Sequence, residues 1–96
     1  PVAFGTIDGT NSAAILNGSG NFTATRSGAG FYAISISGET LTDATHTIMV
    51  TVIRNSVSGG TFAWATPTTS APVGRMLVKT GDGSDQKFSF LVFRAN

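Results

Sequence analysis

The side chains that most often carry out acid–base or nucleophilic chemistry are scarce in this chain. It contains one histidine, His46, with Asp43 three residues before it, and no cysteine. A hydrolytic triad needs a nucleophile, a histidine base and an acid that orients the base. Serine is abundant, so a serine near His46 carries no information, and no Gly-x-Ser-x-Gly segment is present to hold a nucleophile on a sharp turn. We therefore interpret His46 as a surface or loop-end residue at the start of a strand, and expect no catalytic residue and no enzyme activity.

Two carboxylates close together are the next feature that could bind a ligand. Asp82 and Asp85 lie on either side of Gly83 and Ser84, and together with backbone carbonyls they could approach one Ca²⁺ ion. Calcium takes about six to eight oxygen ligands, and the chain has five acidic residues in all. Asp and Gly also supply the backbone geometry of a solvated hairpin turn. We favour the turn, and expect neither a metal nor a cofactor, since one histidine without cysteine is a poor set of transition-metal ligands.

The two large amphipathic rings are the remaining candidates for contact with a ligand. Tyr32 shares a strand face with Ile34 and Ile36, so we expect it in the core or in an interface. Trp64 lies in an Ala-Trp-Ala segment beside a proline-containing stretch, where it is either a core or interface residue or an exposed ring that stacks on a sugar. Sugar sites combine a stacking face with a few placed polar groups. The predicted ligand-binding residues are Trp64, Arg75, Asp82 and Asp85.

Strands must position these side chains, because helix signals are weak throughout the chain and only 41–44 could form a helical turn. Eight segments rich in β-branched and aromatic residues recur at short spacing, separated by Gly, Asn and Asp turns. They are 2–7, 13–16, 20–26, 31–37, 45–54, 61–65, 75–80 and 86–95. This pattern predicts an all-β fold: an antiparallel β-sandwich, jelly-roll-like, of about eight strands in a single domain over 1–96.

The alternation along the strands predicts which side chains face the core. Successive strand residues point to opposite faces, so each set at a period of two lies on one face. The predicted core residues are Tyr32, Ile34, Ile36, Ile48, Val50, Val52, Phe88, Phe90 and Val92.

Two of these strands are apolar on the opposite face as well. Leu91 and Phe93 alternate with the predicted core residues of the last strand, and Met49 and Ile53 do the same in the long strand 45–54. The outer face of a strand in an ordinary sandwich is polar. We predict that Met49, Ile53, Leu91 and Phe93 form an oligomer interface. The alternative is that a long loop, such as 66–74, covers them in a monomer.

Composition narrows the range of partners. Only 11% of the residues are charged and the net charge is +1, which gives no basic surface for a polyanion. We therefore expect no nucleic-acid partner, and no membrane insertion, because the apolar stretches are far too short to span a bilayer. Ser and Thr make up a quarter of the chain, a composition that is common in extracellular β proteins and fibres. The chain begins with Pro1 instead of Met, so we expect it to be part of a longer protein.

Several short motifs resemble a recurrent C-terminal domain of trimeric bacterial surface fibres, collagen-like proteins and phage tail fibres. In that group a Gly-x-Phe strand, an Arg, a Gly-x-Gly turn and a Tyr-x-Ile strand follow one another, and the last strand reads Phe-x-Phe-x-Val. The matching residues here are Gly20-Asn21-Phe22, Arg26, Gly28-Ala29-Gly30, Tyr32-Ala33-Ile34 and Phe88-Ser89-Phe90-Leu91-Val92. More distantly, the pattern is similar to tumour necrosis factor and complement globular-head domains.

The resemblance implies a jelly-roll-like, TNF-like homotrimer located outside the cell, on a bacterial surface or a virion fibre. It implies no catalytic residue. The leading hypothesis is a fibre-tip (knob) domain for adhesion that recognises a surface glycan or protein. The alternatives are a structural module that trimerises and caps a fibre, and a phage tail-fibre receptor-binding domain.

Overall fold

The chain folds into a sandwich of two antiparallel four-stranded β-sheets. The computed structural model describes residues 1–53, 62–68, 74–81 and 84–95. The eight strands in this part of the chain are β1 (Ala3–Asp8), β2 (Ala14–Gly18), β3 (Phe22–Gly28), β4 (Phe31–Ile36), β5 (His46–Ile53), β6 (Ala63–Pro67), β7 (Met76–Thr80) and β8 (Lys87–Arg94). All eight predicted strands are present to within a few residues, so the predicted fold class is confirmed.

Strands from opposite halves of the chain meet in the middle of each sheet. Sheet 1 has the order β2-β1-β8-β5, and sheet 2 has the order β3-β4-β7-β6. The helical structure in the described residues is a single 3-10 turn, Gly9–Asn11, directly after β1. β6 ends at Pro67 and is an edge strand of sheet 2, the position at which a sheet tolerates proline because the missing N–H is not needed there.

The core lies between the two sheets and contains most of the predicted residues. Six of the nine are buried: Tyr32, Ile34, Ile36, Phe88, Phe90 and Val92. The three predicted core residues from β5 are Ile48, Val50 and Val52. They point towards the core but are only half-buried, because β5 is an edge strand of sheet 1. Side chains from both sheets interlock at the centre, where the Phe22 ring packs edge-on against Phe90 with centroids 5.0 Å apart. Such aromatic pairs add to the stabilisation that burial of their area already gives.

Candidate functional site

The outer face of sheet 1 carries a row of exposed apolar side chains across three strands. Leu91 of β8 has Phe4 of β1 as its register partner on one side and Met49 of β5 on the other. Directly opposed residues in antiparallel strands project to the same face, with Cβ atoms about 5 Å apart. The exposed fractions are 43% for Phe4, 39% for Leu91 and 56% for Met49. Three large apolar side chains therefore lie side by side in contact with solvent.

Further exposed apolar side chains lie along the same strands, Phe93 two residues after Leu91 and Ile53 beyond one polar row. Each lies an even number of residues from Leu91 or Met49 on its own strand. We call Phe4, Met49, Ile53, Leu91 and Phe93 the association face. A shallow cavity of about 160 Å³ opens between β5 and β8 along the segments that hold Met49 and Leu91.

Charge is almost absent from the association face. The neighbouring cross-strand row consists of Thr6, Ser89 and Thr51, in which the Thr6 and Ser89 hydroxyls lie 2.8 Å apart. Charged side chains enter only at the next row, where Asp8 of β1 and Lys87 of β8 are register partners of opposite sign. A partner that covers this face would therefore have few charges to desolvate.

The described part of the chain does not cover these apolar residues, and 69–73 of the suggested loop lie outside the described residues. Met49, Ile53, Leu91 and Phe93 are all exposed in the folded chain. The described ends of the suggested loop, Thr66–Thr68 and Gly74, belong to sheet 2 or to a cleft beside it. The sequence reasoning also missed Phe4, although its position between the inward-facing Ala3 and Gly5 would have placed it on the outer face.

The outer face of sheet 2 carries the predicted ligand-binding residue Trp64. The indole ring is 40% exposed, so the core interpretation of Trp64 is wrong. Trp64 of β6 is the register partner of Lys79 of β7, which is in turn the partner of Phe31 of β4. The Lys79 ammonium lies 5.4 Å from the centroid of the Phe31 ring. Phe31 and Lys79 were not predicted, because only the non-local pairing of β4, β7 and β6 brings them beside Trp64.

The other predicted ligand-binding residues lie apart from Trp64. Arg75 directly precedes β7, its backbone N–H donates to the Thr68 hydroxyl at 3.1 Å, and its buried Nε atom hydrogen-bonds to none of the described residues. Asp82 lies outside the described residues. The structure does not bring Arg75 or Asp85 into the cross-strand row of Trp64.

Asp85 is committed to hydrogen bonds within the fold. Its Oδ1 atom accepts from the Tyr32 hydroxyl at 2.6 Å and from the Gly30 backbone N–H at 2.8 Å, and Nε of Arg26 donates to both carboxylate oxygens at 3.1 Å. Arg26, together with the Tyr32 hydroxyl and the Gly30 N–H, lowers the pKa of Asp85 from 3.8 to about 2 against the opposing effect of burial. This arrangement anchors the start of β8 and leaves little acceptor capacity for a ligand.

The His46 side chain belongs to a polar cluster with Glu39 and the exposed Arg94 at the end of sheet 1. His46 begins β5 as expected, but its side chain is only 4% exposed, so the surface interpretation is wrong. Its Nε2 atom lies 2.8 Å from Oε1 of Glu39, and Glu39 also pairs with Arg94 of β8. Arg94 and His46 lower the pKa of Glu39 from its ordinary value. The cluster joins the connection between β4 and β5 to the last strand.

The same cluster has the residue types of a catalytic relay. Nδ1 of His46 lies 2.7 Å from the Thr45 hydroxyl, so hydroxyl, imidazole and carboxylate stand in sequence. A nucleophile also needs an accessible space in which a substrate can meet it. The nearby cleft of about 510 Å³ is lined by 40–44, Thr66–Thr68 and Gly74, and by neither Thr45 nor His46. We therefore interpret the cluster as structural.

The described residues contain no group of three His, Asp or Glu side chains that could hold a metal ion. Within this part of the chain, no helix is long and apolar enough to cross a membrane.

Comparisons with family models, with curated proteins and with solved structures found no match to this chain. The two sheet faces described above are therefore the basis for a functional proposal.

Proposed function

We propose that this domain is the self-associating head of an extracellular fibre, which forms a homotrimer through the association face of sheet 1 and presents its other surfaces to a glycan or protein. The observation that carries the proposal is the exposed Phe4–Leu91–Met49 row. Single exposed apolar residues are normal on a soluble protein, but a contiguous patch marks a site of interaction.

A second copy of this chain is the partner that fits the face best. The face follows the strands and is nearly uncharged, so an identical face can approach it without bringing like charges together. Burial of apolar area stabilises an interface by about 25 cal/mol per Å² before the entropic cost of association. The Asp8 and Lys87 pair at the margin gives a symmetric interface charges of both signs, which can fix its register.

The number three and the extracellular location come from the resemblance to fibre heads. A dimer would bury the same residues, so the size of the assembly has to be measured. The alternative that the domain only trimerises and caps a fibre shares the same association face and differs in lacking a ligand. The tail-fibre receptor-binding alternative differs in the source of the fibre, which the sequence upstream of the domain would identify.

Light scattering on the purified domain at tens of micromolar tests the proposal. We expect a mass of about 29 kDa, three times the 9.8 kDa chain. Leu91→Glu places a charge at the centre of the apolar row and should give a monomer that keeps its β-sheet circular dichroism. Phe93→Glu should act in the same direction. The matched control is Thr23→Glu, an exposed strand residue of sheet 2, which should leave the mass unchanged.

Two outcomes would contradict the proposal. One is a monodisperse monomer of the unmodified domain at that concentration. The other is a Leu91→Glu variant whose mass and melting temperature match those of the parent.

A further inference from the structure

We propose that the Trp64–Lys79–Phe31 row on the outer face of sheet 2 binds an acidic saccharide, a pyranose ring that bears a carboxylate. This rests on the recognition part of the proposed function, for which it names the ligand class and the site. It does not depend on the assembly part, because the row and the association face lie on opposite sides of the sandwich.

The geometry of the row suits one sugar ring. Neighbouring strands are about 4.8 Å apart, so Trp64 and Phe31, on either side of Lys79, are separated by about 10 Å. Lys79, whose ammonium lies over the Phe31 ring, therefore places one positive charge in the same cross-strand row as two aromatic side chains. The apolar face of a pyranose can stack on the exposed indole while its carboxylate pairs with the Lys79 ammonium. Aromatic rings with a few fixed polar groups are the usual lining of small-ligand sites.

The charge on Lys79 is not neutralised by the described part of the chain. None of the four described carboxylates forms an ion pair with it, since Glu39 is paired with Arg94 and Asp85 with Arg26. An anionic group would supply the missing partner. One cation is too few for a polynucleotide, whose binding depends on several phosphate contacts at once. The net charge of +1 agrees with a small anion in preference to a polyanion.

The next cross-strand row supplies groups for the sugar hydroxyls. Thr66 follows Trp64 by two residues on β6 and is exposed on the same face. Its hydroxyl donates to the Pro67 carbonyl at 3.4 Å and can accept a hydrogen bond from a sugar hydroxyl. Its register partner Leu77 is half-buried, and beyond it lies the small, buried Ala33.

The chain contains one tryptophan, so the fluorescence of Trp64 reports on this site without interference. The probes are the methyl glycoside of N-acetylneuraminic acid and galacturonic acid, with methyl galactoside as the neutral comparison. We expect saturable quenching or a spectral shift with a millimolar dissociation constant, weakened by added salt. Lys79→Met keeps the aliphatic stem and removes the charge, and should weaken binding of the acidic sugars by about tenfold or more. Trp64→Ala should abolish it in a calorimetric titration.

The matched control is Lys87→Met, which replaces the other lysine of the chain, in β8 of sheet 1. This variant should leave the affinity for the acidic sugars unchanged. The proposal fails if neither acidic sugar perturbs Trp64, if the two lysine variants have equal effects, or if methyl galactoside binds as tightly as galacturonic acid. It also fails if a single-stranded oligonucleotide binds more tightly than the sugars.

Failure of this proposal is distinguishable from failure of the assembly. The Leu91→Glu monomer should keep the affinity of the parent for a single acidic sugar. A normal trimer mass without sugar binding would contradict the site alone. Sugar binding by a domain that is monomeric at every concentration would contradict the assembly alone.

Discussion

The Tyr32 hydroxyl donates a 2.6 Å hydrogen bond to Oδ1 of Asp85, which ties the core of sheet 2 to the segment that enters β8. Tyr32 is completely buried, and its ring packs on Phe88 with centroids 5.1 Å apart. The contact therefore fixes the point at which β8 begins. Leu91, at the centre of the association face, belongs to the strand that this contact anchors.

Asp85→Asn should destabilise the domain, and more at neutral pH than in acid. The folded-state pKa of about 2 lies below the ordinary 3.8, so the ionised carboxylate contributes stability that is complete above pH 3.8 and is lost as the pH falls towards 2. We expect a loss of about 1–2 kcal/mol in the free energy of unfolding at pH 7, allowing for the partial exposure of the pair with Arg26. Urea unfolding of the parent and the variant across pH 2 to 7 measures this loss of stability.

The matched control for this variant is Asp43→Asn. Asp43 is exposed and forms no ion pair within the described chain, so its substitution should change stability by less than about 0.5 kcal/mol. Equal effects of the two substitutions would show that the Asp85 anchor does not stabilise the fold.

Tyr32 should resist ionisation until strongly alkaline pH. Burial, followed by the hydrogen bond to Asp85, raises its pKa from 10.0 to about 12. The chain has one tyrosine, so the tyrosinate absorbance near 295 nm reports on Tyr32 alone. Because the folded-state pKa is raised, the contribution of the protonated Tyr32 to stability is complete below pH 10 and is lost as the pH rises towards 12.

Asp85→Asn should shift this alkaline titration to lower pH, since it removes the neighbouring negative charge. A tyrosinate midpoint near 10 in the parent domain, with Trp64 fluorescence still at its native value, would contradict the buried position of the hydroxyl.

Gly9→Ala should be strongly destabilising, although an added methyl group is small. A Cβ atom at Gly9 would collide with the Tyr32 hydroxyl and with the Gln86 carbonyl oxygen, which accepts the Gly9 N–H at 3.1 Å. Overpacking of this kind costs about 1–3 kcal/mol. Thermal or urea unfolding measures the loss. The control is Gly28→Ala, where a Cβ atom would meet nothing within 4 Å, and a loss there as large as at Gly9 would refute the steric explanation.

His46→Ala should lower the melting temperature without removing any catalytic activity. The substitution deprives Glu39 of one of its two partners, while Thr45, which does not line the cleft beside sheet 2, loses a hydrogen bond. We expect no ester or glycoside hydrolysis above background by the parent or by the variant. Hydrolysis by the parent that both His46→Ala and Thr45→Ala abolish would show that the Thr45–His46–Glu39 relay is catalytic.

The positions of the strands and the two faces of each strand could be predicted from the sequence. Alternation at a period of two is a local property, so Tyr32, Ile34 and Ile36 were assigned to the core without knowledge of their partners. The same rule placed Leu91 and Met49 on an outer face. The alternation does not show which strands are neighbours, so it could not place Phe4 beside Leu91 and Met49.

The tertiary structure decided how side chains from distant strands combine. The sequence distance from Phe31 to Lys79 and from Tyr32 to Asp85 is about half the chain, and only the pairing of β4 with β7 and the packing of the sheets bring them together. Turn residues such as Asp85 are polar for several reasons, and a turn signal does not say whether the carboxylate faces water or a buried hydroxyl. His46 is ambiguous in the same way, since its burial depends on a connection that folds back over the end of sheet 1.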